Sequence, residues 1–135
     1  MSALELPRPL INQLLHYAQT NPKHEVCGLI SSKNGTALRC YPVANAKSPQ
    51  CRYAMDKSEL AQTLRQIDDQ GEELLAIFHS HPVTPPQPSA SEIAEDQYPD
   101  IMKLIISLDT AGVLEMAAFF TRSGKIEPVE LTLAH

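Results

Sequence analysis

The hydrophobic pattern along the chain switches between a helical period and a strand period. Apolar side chains recur at helical spacing in two segments, which predicts helices over about residues 9–20 and 56–71. The first helix ends at Pro22, because proline cannot continue the hydrogen-bond ladder. The second begins with the capping-box sequence at Asp56–Glu59 and ends near a glycine.

Extended segments lie between and after these helices. Short apolar or alternating runs predict strands over residues 25–32, 36–43, 74–78, 102–108, 113–121 and 125–133. Asn34-Gly35 fits a tight hairpin turn between the first two. The continuous apolar run 74–78 is typical of a central strand that is covered on both faces.

A proline-rich stretch follows the central strand. Four prolines within residues 82–88 exclude helix and interior strand there, and a further helix is predicted from about Ser89 to Gln97. The whole pattern predicts a single α/β domain over residues 1–135, with a mixed central β-sheet flanked by helices.

Composition narrows the possible functions. With 43% hydrophobic and 20% charged residues and a net charge of −5, the chain is expected to be globular and not to bind nucleic acid. It has no signal-peptide pattern and no apolar run of about 18 residues, so no membrane segment is expected. Its cysteines, Cys27, Cys40 and Cys51, form no CxxC pair and are interpreted as reduced thiols of a cytoplasmic protein. Their roles stay open.

Two histidines directly follow the predicted central strand. His79 and His81 are two residues apart, so on an extended segment their side chains leave the same face about 6.5–7 Å apart. Imidazoles at that spacing can converge on one metal ion. The alternative, that two histidines simply lie at a strand end, is not excluded by this motif.

A carboxylate on the following predicted helix could complete such a site, and Glu25 is a further candidate residue. Ser89 and Glu92 have the helical spacing of three, so both lie on one helix face, and Glu92 could be a third ligand. The same Ser-x-x-Glu sequence is also a capping box, in which the two side chains would only accept hydrogen bonds from amides at the helix N-terminus. Glu25 lies at the start of a predicted strand, where a solvated strand-end carboxylate is the simpler interpretation.

Taken together, these motifs resemble the JAMM (MPN-plus, JAB-domain) metallopeptidases, and in particular their short stand-alone prokaryotic members. The family pattern is a glutamate on an early strand, then His-x-His-Pro, a spacer of seven residues, and Ser-x-x-Asp. Here Glu25 opens EVCGLI, His79–Pro82 is HSHP, and Pro82–Pro88 leads to Ser89. The resemblance extends through PVANAKSP, YAMDKSEL and YPDIMKLIISL, and implies the MPN/JAB, cytidine-deaminase-like architecture.

The chain departs from the family pattern at one position. Glu92 stands where the family has its metal-binding aspartate. The extra methylene requires a small shift of the helix or weakens metal binding. Asp96 is a poorer substitute, because the helix would have to slide by about one turn, roughly 5.4 Å.

The resemblance also implies a mechanism. One zinc ion per chain, held by His79, His81 and Glu92, would activate water for hydrolysis of an amide. Glu25 would accept the proton of the water and pass it to the leaving amine, and Ser89 would donate a hydrogen bond to the oxyanion. Ser80 is expected to point away from the two histidines and to have no catalytic role.

The family resemblance suggests a substrate, namely a ubiquitin-like or sulfur-carrier protein whose Gly-Gly tail is laid along a sheet edge by strand addition. The chain would then be an isopeptidase or peptidase that cuts at the C-terminal glycine. The alternatives are a non-catalytic MPN-type interaction scaffold and a JAB peptidase for another amide. A zinc deaminase is excluded because its paired cysteines are absent. The oligomeric state is open, with a homodimer as one option.

Overall fold

Seven strands and two helices form the described part of the chain in a computed structural model, which covers residues 3–20, 25–45, 55–82, 85–88, 92–93, 98–108 and 115–133. In chain order they are β1 Ala3–Leu6, α1 Arg8–Gln19, β2 Cys27–Lys33, β3 Thr36–Val43, α2 Lys57–Asp69, β4 Glu73–His81, β5 Met102–Ser107, β6 Glu115–Arg122 and β7 Lys125–Leu133. Both described helices, of 12 and 13 residues, are too short to cross a bilayer, which takes about 20 residues.

All seven strands belong to one sheet, in the order β1-β7-β6-β5-β4-β2-β3. β1 pairs with β7 and β4 with β5 in parallel, and the other pairs are antiparallel. The edge strands β1 and β3 contact each other, so the sheet is curled. The predicted mixed sheet with flanking helices is confirmed, and β4 lies in its interior between β2 and β5.

The two faces of the sheet build two apolar clusters. Ala76 and Phe78 of β4 pack in the cluster that contains the buried face of α1. Ile77 packs in the second cluster, with Ile67 of α2. Because strand side chains alternate, His79 and His81 lie on the α2 side with Ile77. The prediction that β4 is covered on both faces is therefore confirmed.

The predicted turns and caps are also found. Asn34 and Gly35 both have positive φ, 54° and 80°, as a tight hairpin turn requires. The Asp56 side chain accepts a hydrogen bond of 2.9 Å from the amide of Glu59, which caps α2. The second half of the capping box is not formed, because Oε1 of Glu59 accepts from the amide of Ala44 and the Asp56 amide donates to the Ala44 carbonyl. Gly71, at φ 71°, ends α2 in a Schellman motif.

The structure departs from the predicted elements at β1 and at the end of β4. β1 was not predicted, although Leu4 and Leu6 alternate with exposed residues and are buried. β4 runs on through His81 instead of ending at Phe78, so both histidines belong to the strand. Of the helix predicted over residues 89–97, only residues 92–93 are described, and they are helical.

Gly28 of β2 allows β2, β3 and β4 to pack closely together. A Cβ atom at this position would lie 2.3 Å from the Tyr41 carbonyl oxygen and 2.6 Å from the Phe78 ring. The Gly28→Ala protein is therefore expected to lose about 1–3 kcal/mol of unfolding free energy, measured by denaturant titration, because the backbone of β3 must move.

Gly71→Asn is the matched control. Nothing lies within 4 Å of its Cβ position, and asparagine tolerates a positive φ. We expect a smaller loss of stability in this variant. Equal losses in the two variants would contradict the packing argument at Gly28.

Candidate active site

The end of β4 brings two imidazoles together. His79 and His81 have relative exposures of only 2% and 4%, and their rings lie with centroids 5.0 Å apart and planes tilted by 56°. The two Nε2 atoms are separated by 3.2 Å. Alternation along β4 puts both rings on one side, as expected from the sequence, and the buried strand fixes their positions.

Glu92 supplies a third donor atom at the same point. Its Oε2 lies 2.9 Å from the Nε2 of His79 and 3.1 Å from that of His81. These three residues form a group that could hold a metal ion. Donor atoms sharing a tetrahedral zinc at about 2.0–2.1 Å are ~3.3 Å apart, so the donor triangle has nearly the size that zinc requires.

The proline-rich loop fixes the tautomer of His81. Nδ1 of His81 donates to the carbonyl oxygen of Pro85 over 2.9 Å. A carbonyl only accepts, so the Nδ1 of a neutral His81 carries its proton and Nε2 is left with a lone pair directed at the group. Metal-binding histidines commonly have such a partner. The chemistry of the donor set therefore fits zinc.

The two histidines have opposite tendencies to bind protons. Burial lowers the pKa of His79 and prevails over the charge of Glu92. Burial acts in the same direction on His81, but hydrogen bonds with Glu92 and the Pro85 carbonyl, and the nearby carboxylates, raise its pKa. A metal ion at this group would thus compete with a proton mainly at His81.

Glu25 lies on the same side of the sheet as the histidines. Cys27 is opposite His79 in the β2–β4 register, and the amide of Ser80 donates to the carbonyl oxygen of Val26 over 3.0 Å. Val26 is thus opposite Ser80, and one residue further in the same register Glu25 is opposite His81. The sequence contained nothing that connected Glu25 to the histidines, and the strand pairing supplies the connection.

The Glu25 carboxyl group is buried and electrostatically coupled to the histidine–carboxylate group. Burial and the charge of Glu92 raise its pKa to about 7, although His81 acts in the opposite direction. Its Oε1 has no hydrogen-bond partner in the described part of the protein. A buried acceptor without a donor is unfavourable, and a general base works best with a pKa near the working pH.

The structure does not describe every residue named from the sequence. Ser89 and Asp96 lie outside the described residues, as does Cys51. The described cysteines are free thiols, and burial raises the pKa of Cys27 to about 12 and that of Cys40 to about 11. Neither thiol is activated as a nucleophile.

Part of the β3 edge is closed to strand addition. Along this edge the amide of Cys40 donates to Oε1 of Gln13, Pro42 has no amide hydrogen, and the amide of Ala44 donates to Oε1 of Glu59. An added strand would need these donors. Residues 40–44 therefore offer no free amide donors of this kind to an added strand, and the expectation that an extended tail pairs with a sheet edge stays a prediction.

Two residues contact the Glu25 segment that the sequence did not identify as functional. Ser80 points away from the histidines, as predicted, and its hydroxyl accepts a hydrogen bond from the amide of Val26. The side chain of Asn45 donates to the carbonyl oxygen of Glu25. The strand register would have revealed Ser80, because it is opposite Val26, but the register was not predictable from one sequence.

Comparison with known proteins supplies independent information. Residues 7–121 match the family described as prokaryotic homologs of the JAB domain. The desampylase of Haloferax volcanii is 30% identical over 115 residues, which cover 80% of this chain and 83% of that protein. The CysO-cysteine peptidase of Mycobacterium tuberculosis is 25% identical over 126 residues, covering 90% and 86%.

A solved structure has the same fold over almost the whole chain. The solution structure of a Desulfitobacterium hafniense protein superposes with a TM-score of 0.86 at 27% identity, covering 98% of this chain and 93% of that one.

Proposed function

Because the chain belongs to the family of prokaryotic homologs of the JAB domain, we propose that it is a zinc-dependent hydrolase that cleaves the amide at the C-terminal glycine of a ubiquitin-like or sulfur-carrier protein. The observation that carries the proposal is the meeting of two histidine nitrogens and one carboxylate oxygen within 2.9–3.2 Å of one another. The names of the relatives, a desampylase and a CysO-cysteine peptidase, support a hydrolase of such conjugates.

In this proposal His79, His81 and Glu92 hold one zinc ion per chain. When bound, zinc supplies Lewis-acid chemistry, which polarises a carbonyl group and makes water more acidic at neutral pH. The size of the donor triangle and the tautomer of His81 support these ligands. Glu92 stands in place of the family's aspartate, and its Oε2 nevertheless lies within 3.1 Å of both imidazole Nε2 atoms, which supports the ligand role.

Glu25 is proposed to move the proton. Its carboxylate accepts a proton from water as the water oxygen adds to the amide carbon, and it returns the proton to the leaving nitrogen as the C–N bond breaks. The unpartnered Oε1 and the pKa near 7 support this role. Ser89, three residues before Glu92, is proposed to donate a hydrogen bond to the oxyanion.

We also propose that residues 1–135 act as one metallopeptidase domain in the cytoplasm. The family match over residues 7–121 supports the single domain. The free thiols of Cys27 and Cys40 are consistent with a reducing compartment.

The proposal predicts cleavage of conjugates in which a short peptide is joined by an amide to the C-terminal glycine of a Gly-Gly carrier. Incubation with a panel of ubiquitin-like carriers, followed by mass spectrometry, is expected to show the free carrier with its intact Gly-Gly end. A chelator is expected to stop the reaction, and added zinc to restore it.

Carriers with valine in place of the terminal glycine serve as matched controls and should be cut much more slowly. If the zinc-loaded protein binds carriers but cuts none of the conjugates, the interaction scaffold is the correct function and the hydrolase proposal is wrong.

A further inference from the structure

The peptide group between Glu25 and Val26 is held by two side chains from different parts of the chain. Its N–H, on Val26, donates to the Ser80 hydroxyl over 2.9 Å. Its carbonyl, on Glu25, accepts from Nδ2 of Asn45 over 3.1 Å. This peptide follows the Cα atom of Glu25 directly, so its orientation sets the direction in which the Glu25 side chain leaves the backbone.

The Ser80 hydroxyl replaces a main-chain acceptor. In a regular antiparallel ladder, residues opposite each other in a bonded pair exchange two N–H···O=C bonds. Ser80 donates its amide to the Val26 carbonyl over 3.0 Å, but the return bond from Val26 goes to the hydroxyl. Ser80 has no solvent exposure, so water cannot take over this bond.

Asn45 is anchored at the other side of the peptide. Only the NH₂ end of an asparagine amide can bond a carbonyl, so the orientation of this side chain is fixed. Next to it, the Ala44 carbonyl accepts from the amide of Asp56 over 2.9 Å, and Asn45 itself forms an isolated bridge with Met55. The start of α2 therefore holds Asn45 in place.

The carboxylate of Glu25 depends on this backbone. Its Oε1 has no hydrogen-bond partner among the described residues, so none of them fixes that atom from the side-chain end. Ser80, in contrast, lies between His79 and His81 in β4 and moves with them. The hydrogen-bonded peptide group between Glu25 and Val26 thus links the position of Glu25 to that of the histidine pair.

We propose that Ser80 and Asn45 are positioning residues, which hold the Glu25–Val26 peptide so that the Glu25 carboxylate faces the histidine pair. This inference rests on the proposed function, in which Glu25 accepts the proton. It assigns a role to the residue between the two histidines, whose side chain points away from the donor group.

The test compares Ser80→Ala with Ser80→Thr. Ser80→Ala removes the acceptor for Val26, and kcat for a Gly-Gly conjugate is expected to fall by about 10- to 100-fold, as small misplacements of catalytic groups do, with KM and zinc content unchanged. Ser80→Thr keeps the hydroxyl and is expected to restore kcat to within a few-fold of wild type. Asn45→Ala is expected to behave like Ser80→Ala.

Ser31→Ala is the matched control. Ser31 is also fully buried on β2, but its hydroxyl bonds to the Arg39 carbonyl at the far end of the strand. We expect this variant to lose some stability and to keep its kcat. If Ser80 had a purely structural role, Ser80→Ala and Ser31→Ala would instead lose activity in the same proportion to their loss of stability.

A double-mutant cycle shows whether Ser80 acts through Glu25. In a Glu25→Gln background, Ser80→Ala is expected to have no further effect on the residual rate. An equal fall of kcat in both backgrounds, or an unchanged kcat in Ser80→Ala, would overturn the proposal. Wild-type protein that cuts no conjugate would count against the proposed function instead.

A second readout needs no substrate. The side-chain carboxyl ¹³C resonance of Glu25, measured by NMR in the zinc-free protein, is expected to shift or broaden in Ser80→Ala and to return in Ser80→Thr. An unchanged resonance in both Ser80→Ala and Asn45→Ala shows that they do not position Glu25, whatever the activity of the wild-type protein.

Discussion

The His79→Ala protein is expected to purify without stoichiometric zinc and to have lost all conjugate cleavage. His79 is one of three donor residues, and its Nε2 lies 3.2 Å from that of His81 and 2.9 Å from Oε2 of Glu92. Without this donor only the donor atoms of His81 and Glu92 remain. The zinc affinity should fall by more than about 100-fold, because the loss of a hydrogen-bond partner of a ligand alone lowers metal affinity by up to about 100-fold. Metal analysis of the purified protein measures the effect directly.

His16→Ala is the matched control for this experiment. His16 is an exposed histidine on α1, far along the chain from the donor group, and its loss is expected to leave zinc content and activity unchanged. A His79→Ala protein that still holds one zinc per chain would show that the ion is bound elsewhere. In that case the donor group would be an ordinary buried hydrogen-bond cluster.

Much of the fold could be predicted because its signals are local. Helical spacing located both helices, and the positive-φ residues Asn34 and Gly35 formed the expected turn. β1 was missed because it has only four residues and pairs in parallel with β7, at the other end of the chain. A single sequence carries no information about such a long-range pairing, and a short alternating run is a weak strand signal.

The candidate site shows the same division between local and non-local information. The spacing of His79 and His81 predicted that their rings share a face, since that follows from strand geometry alone. The Ser-x-x-Glu sequence fitted both a helix cap and a ligand, and only the meeting of Glu92 with both imidazoles favours the ligand. Ser80 could not be recognised, because its role depends on the neighbour strand.

The Glu25→Gln protein is expected to bind one zinc per chain and to cleave conjugates about 10²- to 10⁴-fold more slowly, which is the usual contribution of a general base. Glutamine keeps the shape of the side chain but cannot accept the proton, so kcat should fall while KM changes little. The comparison is made on the same Gly-Gly conjugate, with metal analysis of each preparation. Zinc lost together with activity would make Glu25 a ligand rather than a base.

Stability provides an independent check on Glu25, because its carboxyl group is buried at a cost to the fold. Folding raises its pKa to about 7, so the folded state binds this proton more tightly, and the ionised carboxylate weakens the fold at higher pH. The zinc-free Glu25→Gln protein is therefore expected to be at least as stable as wild type at pH 8. Glu73→Gln, an exposed carboxylate at the other end of β4, should change neither rate nor stability. A Glu25→Gln protein that is slower and also less stable would indicate that the carboxylate supports the fold. A slower protein of equal or higher stability would show that Glu25 has a chemical role and not a structural one.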